Sequence, residues 1–116
     1  MTKSKNYFIT GGAGFIGAHL VNYLIDNTKS RITVYDNFDN GRLYHFGERI
    51  NNPNLNIINA DVKDLGRLTT SMIGSDIVYH FASNADIAAA ANDPTIDFWN
   101  GTYLTHNVLE AMRINN

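Results

Sequence analysis

The stretch Tyr7-Phe8-Ile9-Thr10-Gly11-Gly12-Ala13-Gly14-Phe15-Ile16-Gly17 decides how the rest of the chain is read. Its first four residues are a short apolar run stopped by two glycines, and Gly12, Gly14 and Gly17 stand in the pattern G-x-G-x-x-G. Ile16, Leu20 and Leu24 then recur at four-residue spacing with Gly17, Val21 and Ile25 beside them. This predicts an amphipathic helix with Asn22 and Asp26 facing out. A strand, a sharp turn and a helix are expected in that order. Gly11 and Gly12 suit the turn, Gly14 lacks the Cβ that would keep a pyrophosphate away, and Gly17 lets the helix lie close to the strands. The start of the helix offers free N–H groups and the positive end of its dipole to an anion. Gly12 and Gly17 also have the spacing of a nucleoside-triphosphate loop, but that loop continues with Lys and Ser or Thr, whereas Ala18 and His19 follow here.

Outward from this stretch, Ile32-Thr33-Val34-Tyr35, Leu55-Asn56-Ile57-Ile58 and Ile77-Val78-Tyr79-His80-Phe81 are predicted strands, rich in β-branched and aromatic residues. Leu65, Leu68 and Met72 predict a helix capped by Asp64 and weakened by about 1 kcal/mol at Gly66. Asp93 as N-cap and Pro94 as first helical residue open a last helix, with Ile96, Trp99, Tyr103, Leu104, Val108 and Met112 as its apolar stripe. Asp36 to Pro53 reads as a long loop with one helical turn around Phe46 to Ile50. Strands alternating with helices imply a doubly wound parallel α/β sheet in the order 3-2-1-4. Asp36 closes the second strand, nineteen residues beyond Gly17. An acidic side chain there hydrogen-bonds an adenosine ribose and repels a 2′-phosphate, which favours NAD over NADP.

Composition narrows the partners. With 116 residues, 44% hydrophobic and 17% charged, the chain suits one globular domain. A net charge of -2 is too balanced for the basic footprint of a nucleic-acid or anionic-membrane binder. The absence of Cys excludes disulfides, a thiol nucleophile and Cys-ligated metals, and fits a reducing cytoplasm. No apolar run approaches the roughly 20 residues of a membrane helix. Lys3 and Lys5 precede a run that Asn6, Thr10 and the glycines break, so no export signal is read. His80, Ser83 and Asp86 invite a catalytic-triad reading, but successive residues at a strand end point to opposite faces. Asp36 and Asp39 suit a solvated ribose clamp better than a metal site. Asn100-Gly101-Thr102 is formally a glycosylation sequon, and inside a cytoplasmic helix it should be silent.

Taken in order, Thr10 to Gly17, Asp36-Asn37-Phe38, Asp61-Val62, His80-Phe81-Ala82-Ser83 and Gly101-Thr102 resemble the N-terminal half of an extended short-chain dehydrogenase/reductase of the NAD-dependent epimerase/dehydratase family. The likeness is nearest to sugar-nucleotide 4-epimerases and dehydratases. It implies a partial Rossmann fold, NAD as cofactor and, in a full-length member, a sugar nucleotide as substrate. The implied cofactor contacts are the loop of Gly11, Gly14 and Gly17 with Phe15 and Ile16 at the pyrophosphate, and Asp36 and Asn37, followed by Phe38, at the adenosine ribose. Asp61 and Val62 would lie at the adenine, and Phe81, Ala82 and Ser83 along the middle of the cofactor. Asp61 also suits a plain turn, and Phe81 and Ala82 also suit core at a strand end.

Two positions depart from the epimerase pattern and leave the substrate class open. Phe98 stands where the family commonly has Asn, and Ala85 where 4-epimerases often have a lysine. Hydride chemistry in the family uses a Ser or Thr and a Tyr-x-x-x-Lys pair after the next strand, and none of the six tyrosines here is followed four residues on by lysine. The chain therefore reads as the N-terminal part of a NAD-binding domain, with catalytic segment and substrate domain absent, and inactive by itself. The alternative is a non-enzymatic dinucleotide-binding sensor or partner-binding module. The Ile77 to Phe81 strand, lacking an outer neighbour, is a candidate for self-association unless the helix from Pro94 covers it.

Overall fold

The computed structural model describes residues 4–84 and 86–116. Four parallel strands, β1 (Asn6–Thr10), β2 (Arg31–Asp36), β3 (Leu55–Asn59) and β4 (Ile77–His80), pair in the order β3-β2-β1-β4. This is the expected 3-2-1-4 arrangement of a partial Rossmann fold. Ile9 pairs with Val34 and with Tyr79, and Thr10 with Tyr35 and with His80. Because side chains alternate along a strand, this register sends Ile9, Ile32, Val34 and Ile57 to one face and Phe8, Tyr35, Ile58 and Val78 to the other.

The first face is covered by α1 (Phe15–Asn27) and by a 3-10 helical segment, Leu43–Asn51, interrupted at Gly47 where φ is 58°. Gly17, Ala18, Val21 and Leu24 are the buried residues of α1. Phe46, wholly buried, anchors the long loop after β2 against this face. Burial of such a side chain stabilises by about 2 to 3 kcal/mol, enough to hold one loop in one place. The second face carries α2 (Leu65–Ser71) and the last helix; Leu68 and Met72 pack there with Leu104, Val108 and Ala111. Asp64 caps α2 as expected, accepting the Arg67 N–H at 3.1 Å.

Several sequence expectations are corrected. Ile16, assigned to the buried stripe of α1, is 67% exposed, because the first turn of the helix projects past the end of the sheet. Asn22 does not face out: its Nδ2 donates to the His45 carbonyl (2.9 Å), since the long loop folds back over that side of α1, and its Oδ1 is buried without a partner among the described residues. A short helix, α3 (Ile87–Asn92), was not anticipated; it has no buried residue and therefore no apolar period to betray it, although Asp86 caps it through the Ala89 N–H (2.9 Å). The last helix is not uniform. It runs as α4 (Thr95–Asp97), a π-helical turn over Phe98–Thr102, and α5 (Tyr103–Asn115). Trp99, inside the π turn, is about half exposed; the extra residue of the turn rotates the remainder of the helix, so Met112 is exposed and the buried positions of α5 are Leu104, Asn107, Val108 and Ala111.

Candidate functional site

The C-terminal ends of all four strands lie on one edge of the sheet, where open α/β sheets bind ligands. An open groove of about 910 Å³ runs along that edge. Twelve of the thirteen residues singled out from the sequence line it: Gly11, Gly14, Phe15, Ile16, Gly17, Asp36, Asn37, Asp61, Val62, Phe81, Ala82 and Ser83. Phe38 does not; its ring turns away to pack against the core on the α1 side, with its backbone in the left-handed region at φ 63°.

The glycine loop is built by close backbone approach. Gly11 has φ 65°, and a Cβ on it would lie 2.7 Å from the Ala82 nitrogen and 2.8 Å from the Phe81 carbonyl carbon. Only glycine admits both the turn and the passing β4–α3 loop. At Gly17 a Cβ would meet the Gly12 Cα at 2.7 Å, so the missing side chain makes room for the turn itself rather than for the strands. Gly14 is different. A Cβ there would touch only the Gly11 carbonyl oxygen, at 3.4 Å, leaving an open cradle over the helix start. Gly14 provides no side-chain cap, and the first amide of the helix to be bonded is that of Ala18, to the Gly14 carbonyl (2.9 Å). Among the described residues the N–H groups of Phe15, Ile16 and Gly17 have no acceptor. Three N–H donors at the positive end of the helix dipole are the chemistry that recognises an anion. A pyrophosphate fits the cradle.

Asp36 holds this loop from below. Its Oδ2 accepts the Ala13 N–H (3.0 Å) and its Oδ1 the Phe38 N–H (2.8 Å). Each carboxylate oxygen keeps a second lone pair, so the residue can still accept two hydroxyl protons from the groove. The Ala13 carbonyl is pinned as well, by the Arg42 N–H (3.0 Å) and by the Nδ1–H of His45 (2.7 Å). Gly41 makes this possible, since a Cβ there would lie 2.8 Å from Asp36 Oδ2 and 2.9 Å from the Ala13 Cβ. The Arg42 guanidinium is turned onto its own loop, donating to the Gly41 carbonyl at 2.7 Å. Asp39 pairs with Asn37, accepting its Nδ2–H at 3.3 Å. No group of His, Asp and Glu able to hold a metal ion occurs among the described residues, and no helix there is long and apolar enough to cross a membrane.

At the next strand end, Asp61 Oδ1 accepts the Lys63 N–H (2.8 Å), so Asp61 does form the turn that competed with its ligand role, while leaving Oδ2 uncommitted. Two buried side chains that sequence reasoning missed fix this turn from behind. The Tyr35 hydroxyl donates to the Asp61 carbonyl (2.9 Å), and Asn107 Nδ2 donates to the Val62 carbonyl (2.9 Å). Burial, and secondarily the Asp64 carboxylate, pushes the Tyr35 phenol up to about 12. The signal for Asn107 was there, an Asn between Leu104 and Val108 on the apolar side of a helix.

The triad is not assembled. The His80 ring lies between Thr10 Oγ1 (2.6 Å from Nδ1) and Thr105 Oγ1 (3.2 Å from Nε2), Ser83 is exposed, and Asp86 caps α3. Burial holds the His80 pKa below the ordinary imidazole range. Of Gly101-Thr102 only Gly101 lines the groove, with Asn100; the threonine that reaches it is Thr105, because the π turn shifts the helix face. Ala85, the position of the departure from the epimerase lysine, lies outside the described residues.

Residues 7–116 match the model of the "NAD dependent epimerase/dehydratase family". The chain is similar to UDP-N-acetylglucosamine 4-epimerase from Methanobrevibacter ruminantium, solved in complex with UDP-N-acetylmuramic acid. That likeness has TM-score 0.88 and 32% identity, and covers 99% of this chain and 36% of that one. It is also similar to UDP-glucose-4-epimerase from Stenotrophomonas maltophila with bound NAD and formylated UDP-arabinopyranose, with TM-score 0.85 and 26% identity over 96% of this chain and 34% of that one. UDP-glucuronic acid decarboxylase 3 of Arabidopsis thaliana is 38% identical over 77 residues, 66% of this chain and 21% of that protein. The chain thus spans about a fifth to a third of the length of these relatives.

Proposed function

The chain belongs to the NAD dependent epimerase/dehydratase family, and from that premise we propose that its groove binds NAD on behalf of a reaction at a sugar nucleotide. The unpartnered amides of Phe15, Ile16 and Gly17 beneath the open cradle at Gly14 carry this reading, because they ask for an anion carried on a slender backbone, as a pyrophosphate is. Asp36, with Asn37 beside it, would take the adenosine ribose hydroxyls on its remaining lone pairs. Asp61, through its uncommitted Oδ2, and Val62 would lie at the adenine. The backbone of Phe81, Ala82 and Ser83 would run along the middle of the cofactor.

NAD supplies a hydride acceptor when bound. The chain's own residues orient it: Asp36 sets the distance between ribose and glycine loop, and Gly11 sets how closely the β4–α3 loop crosses that loop. The proton transfer from a sugar hydroxyl that accompanies hydride loss needs a positioned acid/base group, and the Tyr-x-x-x-Lys spacing by which the family resemblance supplies one does not occur in these 116 residues. We therefore expect binding without turnover from this polypeptide, and assays with NAD and UDP-sugars that match buffer. Turnover surviving repurification would refute this.

Calorimetric titration with NAD, NADP and ADP-ribose tests the binding. NAD should bind more tightly than NADP, because a 2′-phosphate would meet the Asp36 carboxylate while Arg42 is occupied with the Gly41 carbonyl. Asp36→Ala should narrow the gap. Tighter binding of NADP to the unmutated chain would overturn the assignment of Asp36.

A further inference from the structure

Three polar side chains outside the proposed cofactor contacts meet at the floor of the groove, His80 and Thr105 in its lining and Thr10 buried behind them. Thr10, wholly buried at the end of β1, accepts the Ala82 N–H on Oγ1 at 3.2 Å and lies 2.6 Å from His80 Nδ1. On the far side of the ring, His80 Nε2 lies 3.2 Å from Thr105 Oγ1 on α5. The hydrogen bonds fix the tautomer. Thr10 Oγ1 already receives an amide proton, and its own proton needs an acceptor, which His80 Nδ1 supplies. A neutral ring then carries its proton on Nε2 and donates it to Thr105. With a proton on Nδ1 instead, the buried Thr10 hydroxyl would be left without an acceptor among the described residues.

This chain of contacts ends on the Ala82 amide, whose nitrogen lies 2.7 Å from where a Cβ on Gly11 would stand. We infer that His80 is a positioning residue of the groove: as a neutral imidazole it clips the end of β4 to β1 and to α5, and so holds the Phe81-Ala82-Ser83 backbone against the glycine loop. The consequence for ligand binding rests on the NAD reading; the clip itself does not. Protonation makes Nδ1 a donor facing Thr10 and opens the clip. The groups hydrogen-bonded to the His80 ring are the hydroxyls of Thr10 on β1 and Thr105 on α5; the Ala82 amide on the following loop reaches it only through Thr10. On α5 the neighbouring His106 is exposed and acts on Glu110. Asp36, Asp39, Asp61, Asp86, Lys63 and His45 line the same groove, yet burial is the cause of the downward shift of His80.

The test follows the His80 ring nitrogens and the Ala82 amide of the 116-residue chain by NMR between about pH 5 and 8, with NAD titrated calorimetrically at both ends. The expected results are an Nε2–H tautomer at neutral pH, loss of Ala82 amide protection as His80 gains its proton, and NAD affinity falling about tenfold over the same range. His80→Ala should lower affinity about tenfold at neutral pH. His80→Asn, whose carboxamide oxygen can stand where Nδ1 stands, should rescue Ala82 protection and abolish its pH dependence. If His80→Ala does not fold, Thr105→Val removes only the outer bond and should give a smaller loss in the same direction. An Nδ1–H tautomer, Ala82 protection that ignores the titration of His80, or normal NAD binding by His80→Ala would each overturn the inference. Absence of NAD binding by the unmutated chain, with tautomer and Ala82 coupling as expected, would refute the NAD reading while supporting the clip.

Discussion

Asp36 and Gly17 illustrate two ways a single residue shapes the groove. The Asp36 carboxylate is a part of the glycine loop before any ligand arrives, since it holds the amides of Ala13 and Phe38. Gly17 acts by what it lacks. Gly17→Ala drives a Cβ into the Gly11–Gly12 backbone, which cannot rotate away as a side chain could. We expect a loss of roughly 3 kcal/mol in chemical denaturation, together with loss of any NAD binding. His80 makes a pH prediction whose sign is set by its lowered native pKa. Between that lowered value and the unfolded value of about 6.5, the unfolded chain binds more protons, so stability rises with pH. It should fall as pH drops from about 6.5 through the native pKa, and His80→Asn should flatten the slope. Asp26 and Glu110, lowered by hydrogen bonds from Arg49 and Arg113, lose their contributions only below about pH 4 and do not confuse that window.

At the scale of elements, the turn between β3 and α2 is held by side chains from β2 and α5. Asn107→Leu should cost about 1 to 3 kcal/mol because it leaves the Val62 carbonyl without its partner, and Tyr35→Phe about 1 kcal/mol for the bond to the Asp61 carbonyl. Urea unfolding of both variants measures this; equal stability of Asn107→Leu and the parent would show that the Val62 carbonyl needs no partner. The four strands, α1 and α2 were legible from the sequence because each carries its own period or cap. The single long C-terminal helix was misread. The π turn at Phe98–Thr102 changes the buried face midway, and no local pattern announces a one-residue change of phase. Helix α3, with Ile87 exposed and no buried residue, had no period to find.

On the scale of the molecule, β4 is an edge strand among the described residues, and its Tyr79 is stacked between Tyr7 and Phe81, with centroids 6.1 Å apart in both pairs. We expect the 116-residue polypeptide to self-associate through this edge, and Tyr79→Lys to disperse it. Light scattering decides the matter: a clean monomer at high concentration would rule the edge out as an association site. The sequence by itself determined the strand-turn-helix at the glycines, the acidic end of β2, the sheet order and most of the groove, because these depend on spacings within one or two elements. Only the tertiary structure decided which polar groups support them. Thr10 and His80 are seventy residues apart, Val62 and Asn107 forty-five, and Ala13 and His45 thirty-two. A buried donor must find an acceptor wherever packing brings one, and packing is a property of the folded whole rather than of any window of the chain.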